Sequence, residues 1–180
     1  TWTPISADMT VGTVASVVGS TLRFEVQGSV LKLFLGNNLV AFTHDITIAG
    51  DGGVGIRTVG MASLDNVAVG MATPPANGSL GTTYTFENPQ RPDGQLDNVW
   101  TERAGNFAVV TGNNAVRGNT LNTSSDNLAT LNGVSAANVF VQAEVKGLGT
   151  SGQVLGLVAR YSGSGLGNHY QGLVYNSNGT

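Results

Sequence analysis

The stretch Thr21-Leu22-Arg23-Phe24-Glu25-Val26-Gln27-Gly28 decides the fold, because apolar and polar side chains alternate along it. Its leucine, phenylalanine and valine fall on one face, and its arginine, glutamate and glutamine fall on the other. Successive side chains of a strand point to opposite faces of a sheet, so a period of two indicates a half-buried strand.

The same alternation recurs on both sides of this stretch, and turn-forming glycine and asparagine residues separate the segments. No stretch shows a sustained helical stripe. Many short strands at this spacing predict an all-β fold, a two-sheet antiparallel β-sandwich of the jelly-roll kind with little or no helix. The predicted strands are Leu31–Leu35, Leu39–Thr43, Val54–Val59, Ser63–Val69, Tyr84–Glu87, Phe107–Thr111, Asn138–Lys146, Val154–Tyr161 and His169–Tyr175.

The alternation also predicts the core, since each sheet must bury one face against the other. We expect Phe24 inside, with Arg23 and Gln27 outside. The side chains expected between the two sheets are Leu22, Phe24, Val26, Leu33, Val54, Ile56, Val67, Phe86, Trp100, Phe107, Val109, Leu128, Val139, Val141, Val145, Leu155 and Leu157.

Composition narrows the function classes. The 180 residues are 41% hydrophobic, enough for one β-sandwich core, and no apolar run reaches membrane-spanning length. Only 11% of residues are charged and the net charge is −3, with the basic residues scattered singly, so nucleic-acid binding is disfavoured. Without cysteine there are no disulfides. The chain starts without Met or a signal peptide, and we expect a processed piece of a longer protein.

One linker-like segment divides the chain into two parts, at Thr73-Pro74-Pro75-Ala76-Asn77-Gly78-Ser79-Leu80-Gly81. Two prolines followed by small polar residues are typical of a linker, and they cannot continue a central strand. The organisation predicted is therefore residues 1–73, a Pro/Gly linker at 74–81, and residues 82–180. Two independent domains are disfavoured, because each part alone would bury little core.

Both parts resemble the concanavalin A-like lectin/glucanase superfamily, whose laminin G-like domains are jelly rolls. Residues 21–69 resemble its C-terminal half, through a hairpin turning at Gly36-Asn37-Asn38, a Gly53-Val54-Gly55 strand and a closing Leu64-Asp65-Asn66-Val67 strand. Residues 84–175 resemble its N-terminal half, through the Phe86 to Trp100 opening and the Leu157-Val158-Ala159-Arg160-Tyr161 strand. The halves therefore stand in permuted order.

The family order implies that the closing strand, Ser63–Val69, lies beside the opening strand around Tyr84–Glu87. Two arrangements satisfy this relationship. In a circular permutant, the linker returns and one chain closes its own sandwich. In a head-to-tail array, residues 82–180 pair with residues 1–73 of the next copy, giving heterologous contacts that do not close on themselves. The missing Met and the mid-domain start favour the array.

The carboxylates disfavour catalysis. Glycanases of this superfamily place two acidic residues close together on one strand, and none of the eleven acidic residues here forms such an i, i+2 pair in a strand. His44 and His169 stand alone, which is more typical of structural histidines than of a catalytic or zinc site. We therefore expect no enzyme.

The resemblance implies a Ca²⁺ site. Relatives bind calcium through the aspartate of the closing strand and main-chain carbonyls, which here correspond to Asp65 with carbonyls near Glu87 and Gly118. Calcium takes several oxygen ligands, and carbonyls serve well. The alternative is that Asp65 accepts backbone N–H bonds only.

Carbohydrate could bind at a predicted hairpin whose tip is Ser162–Gly167. Sugar sites combine an aromatic face with planar hydrogen-bonding side chains. The alternative is that the tyrosines are core-edge aromatics and the arginine a solvated strand residue. The candidate sugar-binding residues are Arg160, Tyr161, Asn168, His169 and Tyr170.

Asn77, Asn122 and Asn178 each begin a formal acceptor sequence for N-glycosylation. Three such sequences can also arise by chance in a chain rich in Asn, Ser and Thr.

The sequence thus predicts a non-catalytic repeat module of an extracellular or cell-surface protein. Its role is structural or adhesive, and its partners are copies of itself or adjacent repeats, assembled head to tail in a fibre or tandem array. The alternative is a carbohydrate-binding, lectin-like module with glycans as partners.

Overall fold

The computed structural model describes residues 3–72, 95–110, 115–119, 125–149 and 151–177, and the backbone of residues 83–84. These residues form one short helix, α1 (Val14–Val17), and thirteen strands. The strands are β1 (Thr21–Gln27), β2 (Val30–Leu35), β3 (Asn38–His44), β4 (Gly53–Val59), β5 (Ser63–Met71), β6 (Thr83–Tyr84), β7 (Trp100–Ala104), β8 (Phe107–Val110), β9 (Ala115–Gly118), β10 (Asp126–Leu131), β11 (Val139–Gly147), β12 (Val154–Ser162) and β13 (Asn168–Tyr175).

The strands form two antiparallel sheets packed as a sandwich. The first sheet has the order β3-β2-β1-β11-β5-β9-β8, with β6 also paired to β5. The second sheet has the order β13-β12-β4-β10-β7. The all-β, two-sheet antiparallel prediction is confirmed. None of the described helices is long and apolar enough to cross a membrane.

Each strand predicted from alternation coincides with an observed strand over its described residues. Three strands had no such signal. In β7 the polar run Thr101-Glu102-Arg103 stands between two apolar residues, and β9 has only four residues. In β10, five of the six residues are buried, and apolar and polar residues do not alternate.

The closing and opening strands lie side by side, as the family order implied. Val67 of β5 is paired with Tyr84 of β6, and Ala68 with Thr83. Residues 85–87 and the linker at 74–81 lie outside the described residues.

Strands of the two parts are interleaved in both sheets. In the first sheet, β11 lies between β1 and β5. In the second sheet, β4 lies between β12 and β10. Strands of residues 1–73 thus pair with strands of residues 82–180 in both sheets, and neither part makes a sheet of the observed order alone.

The core lies between the sheets, as predicted. Phe24 is 3% exposed, whereas Arg23 and Gln27 are half-buried. Every described member of the predicted core is buried, and Phe86 lies outside the described residues. The prediction that Leu128 lies between the two sheets is wrong. Leu128 is buried, but it packs with Val158 and Tyr161 in a separate small cluster, because its neighbour Ala129 is the one that faces the main core.

Candidate functional site

The predicted sugar-binding residues lie on the β12–β13 hairpin, at one edge of the second sheet. Ser162 pairs with Asn168 across the hairpin end, and the pairing shifts register between Ala159 and Ser162. At this irregularity Arg160 adopts a φ of 53°, in the left-handed region that residues other than glycine rarely occupy. As a result, the side chains of the consecutive residues Arg160 and Tyr161 lie in different surroundings.

Arg160 is a structural residue of the sandwich interior. It is 4% exposed, and its guanidinium donates to three main-chain carbonyls. The Nε atom donates to Ala137 at 2.9 Å, Nη1 to Ile48 at 2.8 Å and Nη2 to Gly28 at 2.7 Å. These carbonyls belong to three different connections, so a single side chain joins three loops at one end of the sandwich.

Tyr170 belongs to the same interior group. It is 5% exposed and packs in the main core. Its hydroxyl accepts from the Ile48 N–H at 2.9 Å and donates to the carboxylate of Asp45. This bond, followed by one from the Thr47 N–H, lowers the pKa of Asp45. Burial and the bond to Asp45 raise the pKa of Tyr170.

Tyr161 and His169 lie together on the outer face of the second sheet. Their ring centroids are 6.2 Å apart, and the Tyr161 hydroxyl donates to the Gly165 carbonyl at 2.9 Å. Burial, and then the charge of Arg57, lower the pKa of His169. The fifth candidate, Asn168, is exposed. The structure thus brings Tyr161 and His169 together and separates them from Arg160 and Tyr170.

Sequence reasoning missed a residue that belongs beside Tyr161. The guanidinium carbon of Arg103, on β7, lies 5.3 Å from the centroid of the Tyr161 ring. The two residues form one wall of an open cleft of about 270 Å³ that continues along Thr130, Asn132 and Ser162. No sequence signal connects β7 with the hairpin, because the sheet order that joins them depends on β4 and β10.

A larger groove of about 830 Å³ opens at the edge formed by β2, β3 and β13. Residues 3–12 form one wall of this groove. The Thr43 hydroxyl donates to the Ile5 carbonyl at 2.9 Å, and the Tyr175 hydroxyl donates to the Asp8 carboxylate at 2.9 Å. The chain's own N-terminal segment therefore lines this groove.

The calcium ligands implied by the resemblance are not gathered among the described residues. Asp65 is fully buried on β5. Ser63 pairs with Arg117 and Leu64 with Val116, so Gly118 lies opposite Ala62, well along the strand from Asp65. Glu87 lies outside the described residues, within which no three His, Cys, Asp or Glu side chains cluster as a metal site. The calcium site stays a prediction.

The glycosylation candidates Asn77, Asn122 and Asn178 all lie outside the described residues. Their occupancy stays a prediction.

The chain matches no protein-family model, and it matches no curated protein sequence. The class of protein that the structure defines is therefore a two-sheet antiparallel β-sandwich.

Proposed function

We propose that this chain is a non-catalytic structural or adhesive module of an extracellular or cell-surface protein, a jelly roll with its halves in permuted order. The observation that carries the proposal is the use of the buried polar side chains. By residue type, Arg160 and Tyr170 are the best candidates for ligand binding, but the polar atoms of both side chains form hydrogen bonds with the main chain of loops. The low charge and the Asn-, Thr- and Gly-rich composition also suit a secreted module.

Assembly with copies of itself or with adjacent repeats, head to tail, is part of this proposal. The pairing of β1 with β11, and of β4 with β10 and β12, supports it, because the two parts complete each other's sheets and such complementary parts can be exchanged between copies. Exchange of identical elements between copies is a low-cost route to assembly.

A pair of cysteines can distinguish the two arrangements. Arg23 of β1 and Gln142 of β11 are directly opposite and half-buried. Directly opposite residues have Cα atoms about 4.5 to 5.5 Å apart, within the range that a disulfide bridges. The natural chain has no cysteine, so the double variant Arg23→Cys/Gln142→Cys can oxidise only at this pair.

The oxidised variant is run on a denaturing gel without reductant, beside the single variant Arg23→Cys as control. A ladder of linked chains means that copies share sandwich cores. A single-chain band means that each module is closed, and any array then joins closed modules. Light scattering on the natural chain over a range of concentrations tests assembly itself, and a monomer at all concentrations would contradict the head-to-tail proposal.

Carbohydrate binding is the second candidate. The observation that favours it is the outer cluster of Tyr161, His169 and Arg103, which combines aromatic rings with a planar donor beside an open cleft. A glycan array probed with the natural chain and with Arg103→Ala tests this candidate, since Arg103 is exposed whereas Tyr161 is buried. Loss of binding in the variant, at unchanged thermal stability, is the supporting result.

A further inference from the structure

Among the described residues, the lining of the cleft beside Tyr161 holds one cationic side chain, that of Arg103, and no acidic one. Its walls are the end of β7, the end of β10 with the Asn132-Gly133 turn, and the start of the hairpin tip at Ser162. At about 270 Å³ it lies near the lower end of the volumes of small-ligand sites. A space of this size suits one sugar ring rather than a whole oligosaccharide.

Arg103 is held in place at the wall of this cleft. Its Nε atom donates to the Thr130 hydroxyl at 2.8 Å, and the guanidinium lies over the ring of Tyr161. Tyr161 is itself 6% exposed and fixed by its hydroxyl bond to Gly165. An arginine oriented in this way loses little side-chain freedom when it binds an anion.

Arg23 on the first sheet provides an internal comparison. Its guanidinium carbon also lies over an aromatic ring, that of Phe140, at 4.3 Å. However, Arg23 is paired with Glu25 at 2.7 Å. Within the described part of the chain, Arg103 contacts the hydroxyl of Thr130 and the ring of Tyr161, neither of which is an anion.

We propose that this cleft binds an acidic sugar residue, such as a uronic or sialic acid, and that Arg103 holds its carboxylate. The planar guanidinium matches a carboxylate through paired N–H···O bonds. One cation in an otherwise neutral lining suits a monoanion better than a doubly charged phosphate. The hydroxyls of Thr130 and Ser162 and the amide of Asn132 supply polar atoms around the ring. The proposal deepens the carbohydrate-binding candidate and rests on it.

The test is an NMR titration, in which three probes are added in turn to the isotope-labelled natural chain and the shifts of its backbone amide signals are measured. The probes are an oligogalacturonate, a sialyl-lactose, and lactose as the neutral sugar. We expect an acidic probe to shift the amides of Gly53, Gly133 and Gly163, and lactose to leave them unmoved. Added salt weakens the binding, because Arg103 is exposed.

Arg103→Gln and Arg23→Gln form the matched pair of variants. Loss of a charged hydrogen-bond partner predicts at least about tenfold weaker binding for Arg103→Gln and unchanged binding for Arg23→Gln. Thermal melts of both variants check that the fold is intact.

Three other outcomes would contradict, in turn, the selectivity for acidic sugars, the location of the site and the binding of sugar itself. Equal shifts with lactose would reject acid selectivity and leave carbohydrate binding standing. Acidic-sugar binding that is the same in Arg103→Gln would reject this cleft as the site. Absence of binding by every probe would reject the inference, and a blank glycan array would then also reject the carbohydrate-binding function.

Discussion

Arg160 and Tyr170 both form hydrogen bonds with the main chain of Ile48, one with its carbonyl and the other with its N–H. Arg160 Nη1 donates to the Ile48 carbonyl at 2.8 Å, and the Ile48 N–H donates to the Tyr170 hydroxyl at 2.9 Å. The connection between β3 and β4 is thereby fixed to the β12–β13 hairpin. Both side chains are buried, so these bonds contribute to the free energy of folding.

Replacing Arg160 should destabilise the whole sandwich. Arg160→Met removes the donors to three carbonyls, and we expect the free energy of unfolding to fall by roughly 3 kcal/mol. Urea denaturation followed by tryptophan fluorescence measures the change. Arg103→Met is the control, since that arginine is exposed and bonds one hydroxyl, and it should change stability by less than about 1 kcal/mol. Equal effects of the two variants would contradict the structural role of Arg160.

Gly52 should be intolerant of any side chain. A Cβ atom there would lie 2.5 Å from Cα of Arg160, a main-chain atom that cannot move without disturbing the three bonds of that residue. We expect Gly52→Ala to lower the free energy of unfolding by about 2 kcal/mol or more. Gly149→Ala is the matched control, because a Cβ there meets nothing within 4 Å. Melting temperatures of the two variants give the comparison.

Tyr170→Phe should change both stability and its dependence on pH. Loss of the hydroxyl removes the acceptor for the Ile48 N–H and the donor to Asp45, at a cost of about 1 to 2 kcal/mol near neutral pH.

The pH dependence follows from Asp45. Its lowered pKa means that its ionised form stabilises the fold above the ordinary carboxyl range, and this stability is lost as pH falls through the folded-state pKa. Tyr170→Phe removes the largest cause of that shift. The difference in melting temperature between the natural chain and the variant should therefore narrow between neutral pH and about pH 3. A difference that is constant with pH would contradict the coupling.

Calcium at Asp65 remains a proposal with a direct test. An ion bound only by the folded state raises its melting temperature in proportion to the logarithm of free calcium. We expect a chelator to lower the melting temperature of the natural chain and not that of Asp65→Asn. An identical melting temperature with calcium and with chelator would reject the site.

Alternation of side chains was enough to predict most strands, because each sheet has one buried face. Leu22, Phe24 and Val26 show this directly. Alternation gives no signal in β7, which carries little apolar pattern, and it does not show which face meets the main core in a strand buried on both faces. Leu128 is the example of the second kind, since it and Ala129 are both fully buried on opposite faces of β10.

The site could be predicted only in part. The sequence placed Arg160, Tyr161, His169 and Tyr170 on one hairpin, which is confirmed. It could not show that Arg160 turns inward, because that orientation depends on a left-handed backbone at a register shift. Nor could it bring Arg103 to Tyr161, since their contact depends on the order of strands in the second sheet.

The interleaving of strands from the two parts of the chain affects how the protein folds during synthesis. When a ribosome has completed residues 1–73, β1 and β4 still lack their partners β11, β10 and β12. The early product therefore exposes apolar strand faces and open edges until β12, at Val154–Ser162, has been synthesised. Such non-local pairing makes folding slow and leaves the nascent chain prone to aggregation.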